Sequence, residues 1–168
     1  MKTISRIEKY DASPAQVFRC IDDLGVTGSH MTQSSGMMMG SKLNLNYLTK
    51  NKTGLGSKYR WTGKMVGFKM DFTVEVTKWI EGKEKVWETI GPTKLIIYSW
   101  YRMNLIVKAL ADGTEAKLSI TYKKPEGVFN KILSFLFANW YCRWCLRQML
   151  GDAKRTVEHT DKTNPIIA

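Results

Sequence analysis

The most informative absence in this 168-residue sequence is that of acidic residues from one long segment. No Asp or Glu occurs between Asp23 and Asp71. The basic residues in that stretch are Lys42, Lys50, Lys52, Lys58, Arg60, Lys64 and Lys69. The whole chain has a formal net charge of +11. A positive field of this size attracts anionic lipid headgroups, nucleic acid or an anionic ligand, and it also suits a solvated strand face.

Cysteine and histidine are scarce as well. Three cysteines and no apolar leader segment are typical of a reducing, cytoplasmic setting. Cys142 and Cys145 form a Cys-x-x-Cys pair, but it falls in the middle of a predicted helix, whereas redox proteins place it at a helix start, where the thiol pKa is lowered. His30 and His159 do not complete the ligand set that zinc uses. We therefore predict no metal site and no cofactor.

Long apolar runs and catalytic signatures are missing too. The longest apolar run, residues 132–142, is shorter than the about 20 residues that cross a bilayer. The sequence contains no phosphate-binding glycine loop, no dinucleotide fingerprint and no readable nucleophile–histidine–acid arrangement. We therefore predict no catalytic residues. A cyclase, dehydratase or hydrolase remains an alternative, with Glu88, Tyr101 and Tyr122 as its candidate acids or bases.

What the chain does contain is clear periodicity. Residues 3–10 alternate as a strand, and Ser13 followed by Pro14 is typical of a helix start. A second short helix is predicted at about residues 26–33. From residue 43 to residue 124 apolar and polar positions alternate between turn signals, which predicts about six antiparallel strands. Residues 128–159 contain a single glycine, no proline and apolar residues at helical spacing, which predicts one long helix.

This order of elements resembles the helix-grip fold of the START-like superfamily, which includes Bet v 1-like and polyketide cyclase/dehydrase-like (SRPBCC) proteins. The segments that carry the resemblance are residues 10–18, 54–61, 112–114 and 125–127. The resemblance implies an α+β chain in which a curved antiparallel sheet of about six to seven strands wraps around a long C-terminal helix, with two short helices after the first strand. It implies one ligand-binding domain over residues 1–160 and a flexible tail over residues 161–168.

The same resemblance implies an apolar cavity between the sheet and the helix. The predicted lining positions on the strands are Tyr59, Trp61, Met70, Phe72, Val74, Val86, Tyr101, Met103, Leu118, Ile120 and Tyr122. Those on the helix are Phe135, Asn139, Cys142 and Leu146. Glu88 and Asn139 interrupt apolar faces, so each either orients the polar end of a ligand or makes a structural hydrogen bond. Met37, Met38 and Met39 form a methionine loop that is a candidate gate to the cavity.

The predicted function is binding or transport of a small hydrophobic ligand, lipid-like or polyketide-like. The last helix is also apolar on a second side, through Leu133, Phe137, Trp140 and Trp144. This suggests contact with an anionic membrane surface or with a second subunit, and the alternative is that the early strands or the short helices cover it. A basic module that docks on a membrane or on an acidic partner is therefore a further alternative. The basic residues follow no RNA-stacking motif, and this argues against nucleic acid.

Overall fold

An antiparallel sheet curves around a long C-terminal helix. The computed structural model describes residues 1–28, 42–65 and 67–163, and side chains as far as residue 159. Within these ranges the strands are β1 Lys2–Tyr10, β2 Lys42–Tyr47, β3 Lys58–Met65, β4 Phe68–Ile80, β5 Glu84–Lys94, β6 Trp100–Leu110 and β7 Gly113–Lys123. The helices are α1 Pro14–Asp22, α2 Leu24–Thr27 and α3 Val128–Thr163. The predicted fold class is confirmed.

The two short helices follow from local capping. Ser13 caps α1, because its side chain accepts a hydrogen bond from the backbone of Gln16 while the Gln16 side chain accepts one from the backbone of Ser13. Asp23 caps α2 by accepting from the backbone N–H of Gly25 at 2.7 Å. The helix predicted at about residues 26–33 therefore begins earlier, at Leu24. The candidate gate, Met37, Met38 and Met39, lies outside the described residues and stays a prediction.

The sheet owes its curvature to interruptions in the pairing of β4 with β5. The strand order is β1-β7-β6-β5-β4-β3-β2, with neighbours antiparallel throughout the described sheet. The register of β4 against β5 shifts between Asp71 and Thr73, and again between Val76 and Lys78. Such irregularities bend a strand and increase its twist. The bent sheet leaves one concave face, which α3 covers.

The inward face of β5 is the opposite of the predicted one. Lys85, Trp87 and Thr89 are buried on the concave side, whereas Val86 and Glu88 lie on the convex side. The apolar side chains of Val86 and Ile90 suggested the reverse, although Glu88 lies between them on the same face. Lys85 is buried through a 2.5 Å ion pair between its Nζ and the Asp22 carboxylate. Pairing of this kind is what allows a lysine to be buried.

The two halves of helix α3 differ in how they contact the rest of the molecule. Its second half is anchored to the rest of the molecule: Tyr10 donates a hydrogen bond from its hydroxyl to the carbonyl oxygen of Leu150 at 3.0 Å, and Lys154 pairs with Glu8 at 3.1 Å. Ala153, also in the second half, is fully buried, and its small side chain lets the helix approach its neighbours closely. The helix continues to Thr163, into the predicted tail of residues 161–168, and residues 164–168 lie outside the described range.

Candidate ligand-binding cavity

A cavity of about 440 Å³ lies between the concave face of the sheet and α3. The side chains that surround it are almost entirely apolar. The described lining residues are Leu24, Thr27, Gly28, Leu43, Tyr59, Trp61, Met65, Phe68, Met70, Phe72, Trp87, Leu95, Ile96, Ile97, Tyr98, Tyr101, Met103, Ile120, Leu133, Phe137, Trp140, Tyr141, Cys145 and Met149. A space of this volume and character suits a small apolar molecule.

The sheet supplies most of the wall at the predicted positions. Those that line the cavity are Tyr59, Trp61, Met70, Phe72, Tyr101, Met103 and Ile120. Val74 and Leu118 are fully buried, yet they pack in the core beside the cavity and do not line it. The period of two therefore found the inward face of β3, β4, β6 and β7, because each of these strands buries apolar side chains on one face only.

The helix presents a different face to the cavity from the predicted one. The residues of α3 that line it are Leu133, Phe137, Trp140, Tyr141, Cys145 and Met149. Phe135 is 73% exposed, and Cys142 and Leu146 are buried without lining the cavity. The first half of α3 is apolar on every side, so helical periodicity alone could not select the face that turns toward the sheet.

The two residues that were predicted to contact the polar end of a ligand, Glu88 and Asn139, do not line the cavity. Glu88 is on the convex face, where Arg102 donates to its carboxylate at 3.0 Å, so it does not reach the cavity. Val86 shares that face. Tyr122 is buried but does not line the cavity; its hydroxyl donates to Asn139 Oδ1 at 3.0 Å. Asn139 therefore makes a structural hydrogen bond, which was the predicted alternative to orienting a ligand.

Sequence reasoning missed one wall altogether. The alternation between residues 43 and 124 also predicted a long strand over residues 95–107, but β6 begins only at Trp100. The segment from Leu95 to Tyr98 is irregular and lines one side of the cavity. The Gly91-Pro92 pair was the available signal, because it lies where the register of β5 against β4 shifts, between Ile90 and Lys94.

The comparisons with known proteins agree with this architecture. No family model and no curated protein matches the sequence. Among solved structures, TTHA0849 from Thermus thermophilus is similar, with a TM-score of 0.70 and 16% identity over 95% of this chain and 99% of that chain. Major latex-like protein 151 from Panax ginseng has a TM-score of 0.61 and 12% identity over 92% and 96% of the two chains. A portion of the di-domain ARO/CYC StfQ from the steffimycin biosynthetic pathway has a TM-score of 0.69 and 8% identity, over 95% of this chain and 51% of that chain.

The chain has the helix-grip fold of START-like and Bet v 1-like proteins. At these identities the likeness establishes the fold alone. Within the described residues, this helix-grip chain contains no cluster of metal-binding side chains. None of its described helices is both long and apolar enough to cross a membrane.

The polar side chains among the cavity-lining residues of this helix-grip chain are chiefly tyrosines. Burial raises the pKa of Tyr59, Tyr98 and Tyr101 above the ordinary tyrosine value, so these hydroxyls stay protonated at neutral pH. Tyr98 is paired with Cys142 at 3.6 Å between Oη and Sγ. Tyr59 is only 1% exposed, and its hydroxyl has no hydrogen-bond partner among the described residues. A buried unpaired hydroxyl is costly, so Tyr59 is a polar group that the described part of the fold leaves unsatisfied.

Burial also decides the chemistry of the Cys-x-x-Cys pair. It raises the pKa of Cys142 to about 11 and that of Cys145 to about 12. Redox-active thiols show the opposite shift, because the thiolate is the reactive form. Both positions therefore behave as cavity and core side chains of the helix-grip fold.

This arrangement predicts slow thiol chemistry in the native protein. At pH 8 we expect Cys142 and Cys145 to react with Ellman's reagent on the order of a hundredfold more slowly than unfolded-chain thiols, because a raised pKa lowers the thiolate fraction of both and Cys142 is also buried. The measurement is a time course in native buffer and in denaturant, with peptide mapping of the labelled positions. Rapid native labelling mapped to either residue would contradict the assignment.

Proposed function

We propose that this protein binds a small hydrophobic ligand, lipid-like or polyketide-like, inside the cavity and acts as its carrier or sensor. The observation that carries the proposal is the apolar cavity of about 440 Å³. Removing about 300 Å² of ligand apolar surface from water would contribute roughly 7 kcal/mol before the entropic cost of association is subtracted. Before that cost, roughly 7 kcal/mol corresponds to a dissociation constant on the order of 10 μM, so apolar burial of this size supports at most micromolar affinity, without any covalent step.

The candidate contacts of the ligand are the cavity residues themselves. Trp61, Phe72 and Ile120 offer apolar surface from the sheet, and Trp140 offers it from the helix. The described wall offers few polar groups, so the ligand of this proposal is chiefly apolar. The similarity in fold to the latex-like protein and to the ARO/CYC protein supports a hydrophobic ligand at this coarse level.

A cavity-filling substitution tests the proposal. Ile120 points into the cavity and its neighbour Ser119 points to the convex face, because side chains alternate along β7. We expect Ile120→Trp to weaken binding of an environment-sensitive apolar fluorophore at least about tenfold, since the indole occupies ligand volume. The matched control Ser119→Trp should bind as the wild type does.

The measurement is a fluorescence titration of both variants alongside their thermal unfolding curves. Equal affinity in Ile120→Trp and Ser119→Trp, with both variants folded, would refute binding in this cavity. The unfolding curves separate a blocked cavity from a collapsed one, because a misfolded variant would lose its cooperative transition.

An enzyme of the cyclase or dehydratase type is the second candidate, favoured by the tyrosines around the cavity and by the fold likeness to the ARO/CYC protein. The raised pKa values of Tyr59 and Tyr101 keep both hydroxyls protonated at neutral pH, so they suit hydrogen-bond donation to a substrate and not transfer of a proton in either direction. A compound recovered with changed mass or absorbance after incubation would support this candidate. A compound recovered unchanged would support the carrier.

A further inference from the structure

The first half of α3 exposes an unusual amount of apolar surface. The large apolar residues that are at least half exposed, or nearly so, are Val128, Phe129, Ile132, Phe135, Leu136, Phe137 and Trp140. They follow one another within four turns of one helix. A contiguous exposed patch of this kind in a folded protein marks an interaction surface. We call these seven residues the apolar patch.

Cations continue the apolar patch along the same side of the helix. Phe129, Ile132, Leu136, Trp140, Arg143 and Arg147 are spaced three or four residues apart, so they lie in one row on the α3 surface. The sequence has no acidic residue between Glu126 and Asp152. Arg143 and Arg147 are exposed, and neither has an ion-pair partner within the part of the chain that the structure describes.

The cationic end of this row forms one wall of a groove of about 370 Å³ between α3 and β1. The residues that line the groove are Lys2, Thr3, Ile4, Ser5, Arg6, Asn139, Arg143, Leu146 and Arg147. We call it the cationic groove. Its described lining contains four cations and no carboxylate. The hydroxyls of Thr3 and Ser5 are already paired with Thr121 and Ser119 across the strands.

Arg6, which lines the cationic groove, has a hydrogen-bond donor without an acceptor in the described part of the fold. Its Nε is buried and has no hydrogen-bond partner among the described residues. The nearest carboxylate, Glu8, lies 3.5 Å from the Arg6 guanidinium and is shared with Lys154 at 3.1 Å. Like charges gathered in one groove repel each other until an anion enters, and arginine binds phosphate oxygens through paired N–H donors. A phosphate group is therefore the chemistry that fits.

The opening of the ligand cavity lies beside this surface. Phe137 and Trp140 line the cavity and are also exposed, and Trp140 is 57% exposed. A side chain that lines a cavity and meets solvent marks its mouth. The apolar patch, the cationic groove and the cavity mouth thus share one stretch of α3.

We infer that this face of α3 docks on an anionic phospholipid membrane. The apolar patch enters the boundary between headgroups and acyl chains, and lipid phosphates occupy the cationic groove. Trp140 lies between the two, at the level where tryptophan is preferred. If the proposed ligand binding holds, docking places the cavity mouth against the bilayer, so an apolar ligand can enter without crossing water.

A second copy of the chain fits this surface less well. A twofold dimer through α3 would bring the same patch of both copies together, and with it Arg143 and Arg147 of each. Since each chain carries a net charge of +11, the repulsion would oppose association. Anionic lipid supplies the complementary charge that a second copy lacks.

The test is sedimentation of the full chain with vesicles of phosphatidylcholine alone and of phosphatidylcholine mixed with phosphatidylglycerol. We expect binding to the mixed vesicles, little to the neutral ones, and weakening as salt rises. The double variant Arg143→Gln with Arg147→Gln should bind the mixed vesicles about tenfold more weakly or worse. The matched control, Lys108→Gln with Lys117→Gln on the sheet, removes the same charge elsewhere and should change binding less than about twofold.

Further measurements distinguish membrane docking from unspecific charge attraction and from binding of free phosphate. Phe135→Ser with Leu136→Ser should lose binding while keeping the thermal unfolding temperature, because both side chains are exposed. Equal losses in the arginine and lysine variants would overturn the proposal as unspecific charge attraction. Binding of inorganic phosphate that depends on Arg143 and Arg147, with no binding to the mixed vesicles, would assign the groove to free phosphate and would also overturn it.

Two more measurements test whether the face binds a second copy and whether docking is independent of the cavity. A concentration-dependent dimer in sedimentation velocity that Leu136→Ser abolishes would assign the face to a second copy and refute membrane docking. The Ile120→Trp variant should still bind vesicles, because its cavity is blocked while the outer face of α3 is intact. Loss of vesicle binding in wild type with fluorophore binding retained would therefore refute docking and leave the cavity proposal standing.

Discussion

Replacing Asp22 with alanine should lower the free energy of unfolding by about 3–5 kcal/mol, one of the two largest effects expected in this chain. Asp22 pairs with Lys85 at 2.5 Å between carboxylate and Nζ, and Lys85 is only 2% exposed. Lys85 also donates to the Asp22 carbonyl oxygen at 3.3 Å, and its ammonium lies 4.9 Å from the centre of the Trp87 ring. Without the carboxylate, a buried ammonium remains uncompensated.

The matched control removes both charges. Asp22→Leu combined with Lys85→Met should cost less than Asp22→Ala alone, because apolar residues of similar volume avoid burying either ion. Urea unfolding of the wild type, the single variant and the double variant supplies the measurement. A double variant as unstable as Asp22→Ala would show that packing, and not the unpaired charge, causes the loss.

The sign of the pH dependence follows from the same pair. Burial lowers the pKa of Lys85 below the ordinary lysine value of about 10.4, so the unfolded chain binds more protons in the window just below that value. Stability should therefore rise as the pH increases through this window. The rise should be larger in Asp22→Ala, since removal of the carboxylate lowers the Lys85 pKa further.

Replacing Trp61 with alanine should cost about 3 kcal/mol, near the lower end of the range for a buried tryptophan. Trp61 is 1% exposed and lines the cavity. The loss should lie at the lower end because part of the ring already faces a void and so has fewer packing partners to lose. The enlarged cavity should also accept bulkier apolar probes than the wild type does.

Trp100→Ala is the matched control for this prediction. Trp100 stands on the convex face, where Arg102 and Lys123 lie over its ring at 5.4 Å each. Contacts of this exposed kind contribute roughly 0.5–1 kcal/mol. The measurement is the free energy of unfolding of both variants in urea. Equal losses of this free energy in Trp61→Ala and Trp100→Ala would contradict the assignment of Trp61 to the cavity wall.

The inward faces of most strands, but not of β5, could be predicted from the sequence. The strict alternation around Trp61 and Phe72 identified the inward faces of β3 and β4, because those strands carry polar residues on the other face. The same rule failed on β5, where the buried lysine is Lys85 and its partner Asp22 is distant in sequence. A pattern of neighbouring residues does not contain a pair formed only by the fold.

Helix α3 illustrates a second limit. Its existence and extent could be predicted, yet the face that meets the cavity could not, because Phe135 and Phe137 are equally apolar and only the fold separates them. The fold uses Phe137 for the cavity mouth and leaves Phe135 in solvent. The excess apolar surface was visible in the sequence, and its position beside the cationic groove became visible only in three dimensions.

Native mass spectrometry of the protein as purified from cells is the most direct test of the central claim, that the cavity holds a small apolar ligand. The predicted result is a population of chains that carries one non-covalent small molecule, extractable into organic solvent. That population should persist in Ser119→Trp and be absent from Ile120→Trp. The contradicting result is the same adduct in Ile120→Trp as in the wild type, or a wild type that carries no adduct and takes up none from added apolar compounds.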